Sequence, residues 1–404
     1  MDYRPTLSLW KKRVALFLVS QNISLFGSSV VGFAVIWYIT LETSSGLWMT
    51  LAMLCNLVPQ VLMSLFAGVW ADRYSRKLLI MLADGFIALA TLALAISFLL
   101  GYRKMELMLI VLAVRALGAS VQTPAVNAIY PQLVPEERLT KVQGINQTIG
   151  SVSALITPAI GGLLLGTVGI VGALFVDVVT AAIAIAIMSF IRVGQSPMPP
   201  AKSVWKEIGV GISYLRGHSQ LRRFMICLLF TFLFITPSFT LNPLLIERSF
   251  GNEVWRLTVH EIVWSSAMIA SGVFVSVKGK FRDKQRTIAF CIMGSGVTFA
   301  LMGTSRSFLS FLVFLGAAGL FWPVFSTAQT VFIQETVPPE MLGRVFSVIQ
   351  LIMTGTVPIA ILFFGPLADV VQMGTIYLIS SALLVVVGVI YGIGKNKTIL
   401  SGSQ

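Results

Sequence analysis

Twelve times along this chain an apolar stretch of about twenty residues is closed by a short polar break. The stretches run at 14–40, 47–70, 78–100, 106–130, 142–166, 170–192, 221–245, 256–278, 287–304, 308–333, 344–366 and 373–394. At 1.5 Å per residue, a helix of that length crosses a hydrocarbon core of roughly 30 Å. Lipid offers the backbone no hydrogen bonds, so only helices and closed barrels can span it. A barrel would show alternating ten-residue strands. These runs are continuous, which predicts helices. Water is excluded as the main solvent: only 11% of the 404 residues are charged and 56% are hydrophobic, with a mean hydropathy of +0.88, whereas a soluble domain is about a quarter charged.

The net charge of +13 is carried by short loops. With the N-terminus in the cytoplasm, the inner segments hold 23 of the 29 Lys and Arg residues and the outer segments hold 5. Arg115 lies within a span. This asymmetry predicts two cytoplasmic termini and speaks for membrane topology over nucleic-acid binding, which would gather the charge on one folded face. Residues 1–13 lead into a first span that is too long for a signal-peptide core. Cys55, Cys227 and Cys291 all fall in apolar runs and read as small buried hydrophobes. His218 and His260 are isolated, so no metal site is expected.

The longest connection opens with Gly194, Pro197, Pro199 and Pro200, a helix-stopping stretch. Val204, Ile208, Ile212 and Leu215 then recur at helical spacing, predicting an amphipathic helix at the cytoplasmic membrane surface. The second half echoes the first at an offset of 203. Val134-Pro135-Glu136 aligns with Val337-Pro338-Pro339, Gln147 with Gln350, and Gly162 with Gly365. The expected architecture is an all-α membrane protein of twelve transmembrane helices in two pseudo-symmetric six-helix bundles. Residues 1–192 form the first bundle, 193–220 a cytoplasmic linker and 221–404 the second. Duplicated halves of this kind are common in transporters that rock around a central site, although a channel or a membrane enzyme could also be duplicated.

Ionisable residues inside spans are costly, so each is a candidate. Arg115 sits near the middle of span 4, with Gly118 and Gln122 on its face. It serves either in proton coupling or as a structural cation paired with Asp84 or with backbone carbonyls. Glu42, Asp84, Asp177 and Glu261 lie within spans or at their edges. A carboxylate held away from water is a reversible proton carrier, which makes Asp84, Asp177 and Glu261 coupling candidates, Glu261 reading equally as an exposed charge at a helix start. Substrate-facing candidates are Gln21, Ser24 and Phe26 on span 1, Gln122 on span 4, Phe234 and Asn242 on span 7, and Trp322 and Gln329 on span 10. Aromatic and amide surface with few charges suits bulky amphipathic molecules. The chain has no phosphate-binding Gly loop and no nucleophile constellation, so neither a nucleotide-driven motor nor an enzyme is expected.

Between spans 2 and 3 stand Gly68, Asp72, Arg73, Arg76 and Lys77. They read either as a positive loop with a stray Asp or as a motif. The spacing resembles the loop signature of the major facilitator superfamily, with Ser75 where that family usually has Gly. Gly279 to Arg286 looks like a decayed copy. The resemblance implies that the motif latches the cytoplasmic side in the outward-open state. Gly150, Pro158, Gly161 and Gly162 on span 5 are similar to the family's antiporter motif, with Thr157 replacing a Gly. They also fit an ordinary kinked packing helix. Arg115 with its nearby Gly resembles the span-4 motif of proton-driven exporters.

Thr123-Pro124-Ala125-Val126-Asn127-Ala128, the stretch from Leu133 to Lys141, and Leu342 to Ser347 are similar to macrolide-efflux exporters, a branch that also holds siderophore exporters. The resemblance implies a bacterial plasma membrane and proton-driven export of a small molecule by a monomer without a cofactor. Its partners would be the substrate, protons and lipid, with no nucleic acid. A siderophore or metabolite exporter, an importer, a non-transporting sensor and a lipid flippase remain open at this point.

Overall fold

The computed structural model describes residues 9–191, 193, 204–279 and 281–401, with side chains undescribed at 9, 64–69, 71–73, 136, 140, 204–208 and 394–401. Among the described residues the chain is built of fourteen helices. They are α1 (Leu9–Thr43), α2 (Gly46–Arg73), α3 (Arg76–Leu99), α4 (Met105–Leu133), α5 (Glu136–Thr167), α6 (Gly169–Ser189), α7 (Val204–Gly217), α8 (Ser219–Thr240), α9 (Asn242–Phe250), α10 (Val254–Lys278), α11 (Lys284–Gly303), α12 (Phe308–Thr336), α13 (Pro339–Val370) and α14 (Met373–Ser401). Twelve of them are long and apolar enough to cross a membrane. Each corresponds to one of the twelve expected spans. Their outward faces keep large apolar side chains uncovered, among them Leu89, Leu163, Phe190, Val277 and Phe363. That pattern suits lipid and would aggregate in water.

The chain divides into two compact units. Unit 1 holds residues 1–42 and 51–201, and unit 2 holds residues 43–50 and 202–404. In unit 1, α3 packs on α4 and α6. Glycines set the close approaches. A Cβ on Gly118 of α4 would lie 2.6 Å from Ile87 Cγ1 of α3. A Cβ on Gly27 of α1 would overlap Thr180 Oγ1 of α6 and lie 3.2 Å from Asp177 Cα. One end of the unit is sealed by an apolar cluster that includes Val14, Phe17, Ile80, Ile129 and Tyr130, with Phe17 and Tyr130 edge to face at 5.2 Å.

In unit 2, α11 packs on α12 and α14, α10 on α12, and α8 on α13 and α14. The seventh expected span, 221–245, is divided. Helix α8 stops at Thr240 and α9 restarts at Asn242 with Pro243 in its first turn. Proline supplies no N–H and disfavours a helical residue before it, so the run turns there. The predicted amphipathic helix of the linker forms as α7, although residues 194–203 before it, and the side chains of Val204 and Ile208, lie outside those described. Of its apolar stripe, Leu215 is buried and Ile212 half-buried, and α7 packs on α13. Gly211 makes this possible, because a Cβ there would stand 2.8 Å from the Arg344 carbonyl.

Candidate functional site

Unit 1 encloses a buried polar network joining α1, α3, α4 and α6. Arg115 of α4 forms an ion pair with Asp177 of α6 through Nη1 and Oδ2, with side chains 9% and 1% exposed. The same nitrogen donates to Thr91 Oγ1 of α3, and Nη2 donates to the Ser28 carbonyl of α1 at 3.2 Å. Asp177 is saturated from other sides too. Thr91 donates to Oδ2 and Ser28 to Oδ1, each at 2.9 Å. A guanidinium in the bilayer interior costs roughly 2.5–3.5 kcal/mol on insertion scales. Here three neighbouring helices, α1, α3 and α6, share in meeting that cost.

Asp84 of α3 is equally buried, at 3% exposure, but its partners are neutral. Ser24 of α1 donates to Oδ1 at 2.5 Å and Gln122 of α4 donates to the same oxygen at 2.7 Å. Among the described residues no cation lies within ion-pair distance of it. Ser24 and Gln122, expected to face substrate, therefore spend their donors on Asp84. The suggested Arg115–Asp84 pair does not form, because Asp177 takes the guanidinium. Close to this network on α1, Gln21 is 1% exposed and both its amide atoms lack a partner among the described residues. Phe26 is half-buried.

The two cations of the loop motif whose side chains are described, Arg76 and Lys77, reach carbonyls inside unit 1. Arg76 is buried and donates to the Ala128 carbonyl of α4 at 2.9 Å. Lys77 donates to the Ser189 and Ile191 carbonyls at the end of α6, at 2.6 and 2.9 Å. Lys77 closes the end of α6, which carries partial negative charge, while Arg76 binds α4 before its last turn, so both staple α3 to its neighbours inside unit 1. The side chains of Gly68, Asp72 and Arg73 lie outside those described. On α5, Pro158, Gly161 and Gly162 are buried, whereas Gly150 is exposed with open space around it. A Cβ on Gly161 would meet the Val30 carbonyl and Phe33 Cβ only at ordinary contact distance, 3.6 and 3.7 Å.

In unit 2, Glu261 is half-buried and faces His260 Nδ1 at 3.5 Å. Asn242, another expected substrate contact, is engaged in packing: its amide donates to the Ser238 carbonyl at 2.6 Å and its oxygen accepts from Tyr377 at 2.7 Å. Gln329 is buried, and its amide oxygen has no partner among the described residues. Phe234 stacks on Phe230. Trp322 lies in an aromatic group with Phe232, Phe239 and Phe325.

Sequence reading missed a second polar cluster, in which Asp369 at the end of α13 caps the start of α2. Its oxygens accept from the Gly46 and Leu47 amides at 2.7 and 2.9 Å and from Ser45 Oγ at 2.8 Å. Arg248 of α9 pairs with it at 2.8 Å. Gly46 and Gly365 let the two backbones meet: a Cβ on Gly365 would overlap Thr50 Oγ1 and lie 2.9 Å from the Gly46 carbonyl. The residues themselves, an Asp after Gly-Pro-Leu-Ala and an Arg outside the spans, give no local hint of this pairing.

The comparisons with known proteins agree with this architecture. A profile of the Major Facilitator Superfamily matches residues 17–360. Macrolide efflux protein A of Streptococcus pyogenes is 29% identical over 387 residues, covering 94% of this chain and 95% of that protein. An enterobactin exporter of Shigella boydii is 28% identical over 352 residues, covering 82% and 79%. A bacterial homologue of the iron transporter ferroportin, crystallised in an inward-facing state, superposes with a TM-score of 0.73 at 15% identity, covering 96% of this chain and all of that one. A duplicated twelve-span helical chain matched over most of its length by this profile is a member of the Major Facilitator Superfamily and a membrane transporter.

Proposed function

We propose that this transporter exports bulky amphipathic molecules of the macrolide type in exchange for protons. The observation that carries the reading is the charge balance within the buried network of α1, α3, α4 and α6: two carboxylates, Asp84 and Asp177, stand with one guanidinium, Arg115, while the other buried guanidinium of unit 1, Arg76, binds the Ala128 carbonyl. Arg115 compensates Asp177, leaving Asp84 as the group whose charge a proton can remove. A deprotonated Asp84 only accepts hydrogen bonds, while a protonated one also donates. Its partners on α1 and α4 therefore respond to proton occupancy, which links a titration to helix positions. The cytoplasmic excess of Lys and Arg supports two cytoplasmic termini in a bacterial plasma membrane. Likeness to the macrolide efflux protein supports the substrate class and the outward direction.

The decisive assay is accumulation of labelled macrolide in cells with and without the transporter, before and after a protonophore. Lower accumulation that the protonophore abolishes is the expected result. Accumulation that the transporter does not lower, or that the protonophore leaves unchanged, rejects proton-driven macrolide export.

Likeness to the enterobactin exporter favours a second reading, export of a siderophore. Anionic siderophores need a cation to recognise them, and the buried Arg115 is already committed to Asp177. Charge balance in the Arg115–Asp177–Asp84 network thus favours neutral or cationic cargo, and competition between macrolide and siderophore for efflux separates the two.

A further inference from the structure

Helices α10 and α11 of unit 2 both pack on α12 and hardly on each other. They are joined through residues 279–283, where Gly279 takes a φ of +69°. The gap between them holds a cavity of about 930 Å³ whose back wall is Ala317, Leu320, Phe321 and Val324 of α12. Ser271 of α10 donates to the Leu320 carbonyl at 2.5 Å and fixes that wall. The sides are apolar, with Phe274 and Phe290 at the opening, 55% and 62% exposed.

One end of the same cavity is basic. Lys278, Arg282 and Arg286 line it, with Asp283 as the one acid among the lining residues. Asp283 is engaged in the backbone: it caps α11 by accepting from the Arg286 amide at 3.1 Å, and its carboxylate lies 3.4 Å from the Arg286 guanidinium. Lys278 sits over the rings of Phe274 and Phe281 at 5.3 and 5.7 Å. Arg282 is exposed and, among the described residues, has no acidic partner within ion-pair distance. From Arg286 to Thr298 the cavity follows α11 for about 18 Å. That is slightly more than one leaflet of a hydrocarbon core roughly 30 Å thick.

We propose that this groove holds one anionic phospholipid, its phosphate on Arg282, Arg286 and Lys278 and an acyl chain along the α12 wall. Charge complementarity selects the occupant. A neutral amphiphile would fill the apolar trough but gain nothing from three cations, and a free phosphate would leave the trough empty. A headgroup bound there bridges the end of α10 to the start of α11, which otherwise make few contacts, so lipid would hold this pair of spans together. Placing the groove in the cytoplasmic leaflet rests on the topology proposed above. Binding itself does not.

Native mass spectrometry of the purified full chain, titrated with phosphatidylglycerol or phosphatidylcholine of equal chain length, tests the site without requiring transport. One phosphatidylglycerol should be retained in preference to phosphatidylcholine. R282Q/R286Q should weaken that preference roughly thirtyfold, taking each cation near an anionic lipid at its usual worth. R138Q/K141Q, which removes the same charge from two exposed positions of α5, should leave it intact, and R282K/R286K should retain most of it. Equal retention of the two lipids by the wild type would overturn the proposal. So would an unchanged preference in R282Q/R286Q, or an equal loss in R138Q/K141Q. A wild type without lipid preference but with normal macrolide efflux would sink the groove alone, and one with the lipid preference but no macrolide efflux would sink the exporter reading alone.

Discussion

Arg115 and Asp177 neutralise each other inside unit 1, the guanidinium arriving from α4 and the carboxylate from α6, with Thr91 of α3 and Ser28 of α1 completing the shell. Every side of the pair is therefore held by a different helix. Removing either partner leaves a buried charge with dipoles but no counter-ion.

D177N should accordingly destabilise the protein by about 3–5 kcal/mol, the usual cost of orphaning one member of a buried pair. The double variant R115Q/D177N should recover most of that loss without recovering transport. Thermal unfolding of detergent-purified protein, read beside efflux, checks both parts.

Asp84 differs because its partners are neutral. D84N preserves shape and can still accept from Ser24 and Gln122 through its amide oxygen. Stability should change by about 1 kcal/mol or less on hydrogen-bond grounds. Efflux driven by an imposed pH step in proteoliposomes should fall at least about tenfold, while exchange of labelled for unlabelled substrate persists. A tenfold fall corresponds to about 1.4 kcal/mol of lost driving interaction.

Close packing gives a contrast between two glycines. G27A places a methyl into Thr180 and should cost about 1–3 kcal/mol by overpacking, with T180A restoring part of it. G161A meets only ordinary contacts and should stay within about 0.5 kcal/mol of the wild type. Paired thermal melts decide whether Gly161 is needed for space.

Asp369 caps the first turn of α2 inside unit 2. D369A should cost about 1–2 kcal/mol, as loss of a cap does, and should raise amide exchange at Gly46 and Leu47 specifically. Hydrogen exchange by mass spectrometry resolves that peptide.

If one proton enters for each monocation expelled, no net charge moves and the membrane potential, worth roughly 2.3 kcal/mol per charge per 100 mV, drops out. Collapsing the potential with valinomycin and potassium should leave export of a monocationic macrolide intact, and nigericin should abolish it. A substrate gradient of about tenfold per pH unit is the expected ceiling.

The twelve spans could be read from the sequence because hydropathy over twenty residues is a local property. Arg115–Asp177 was within reach as well. The two residues stand ten positions beyond Met105 and eight beyond Gly169, in helices that start from the same expected side, so their depths nearly match. The depth comparison needs a topology but no coordinates. The partners of Lys77 and Arg76 were not legible because a loop cation near a boundary looks solvated, and only folding brings the carbonyls of Ser189, Ile191 and Ala128 beneath them. Asp369 stayed hidden for the same reason. The Ser45, Gly46 and Leu47 groups that it caps lie more than 300 residues away, and the meeting of Gly46 with Gly365 that joins them is a three-dimensional fact. Pro243, in contrast, announced the break between α8 and α9 in the sequence itself, within a hydrophobic run long enough to mask it.

Proton movement during transport tests the central claim most directly. Purified transporter in liposomes loaded with a pH-sensitive dye should respond to added macrolide with a proton flux opposite in direction to the drug, and D84N should lose that flux while still binding drug. Macrolide transport by the wild type with no accompanying proton flux, or with a flux that D84N leaves unaltered, would contradict it.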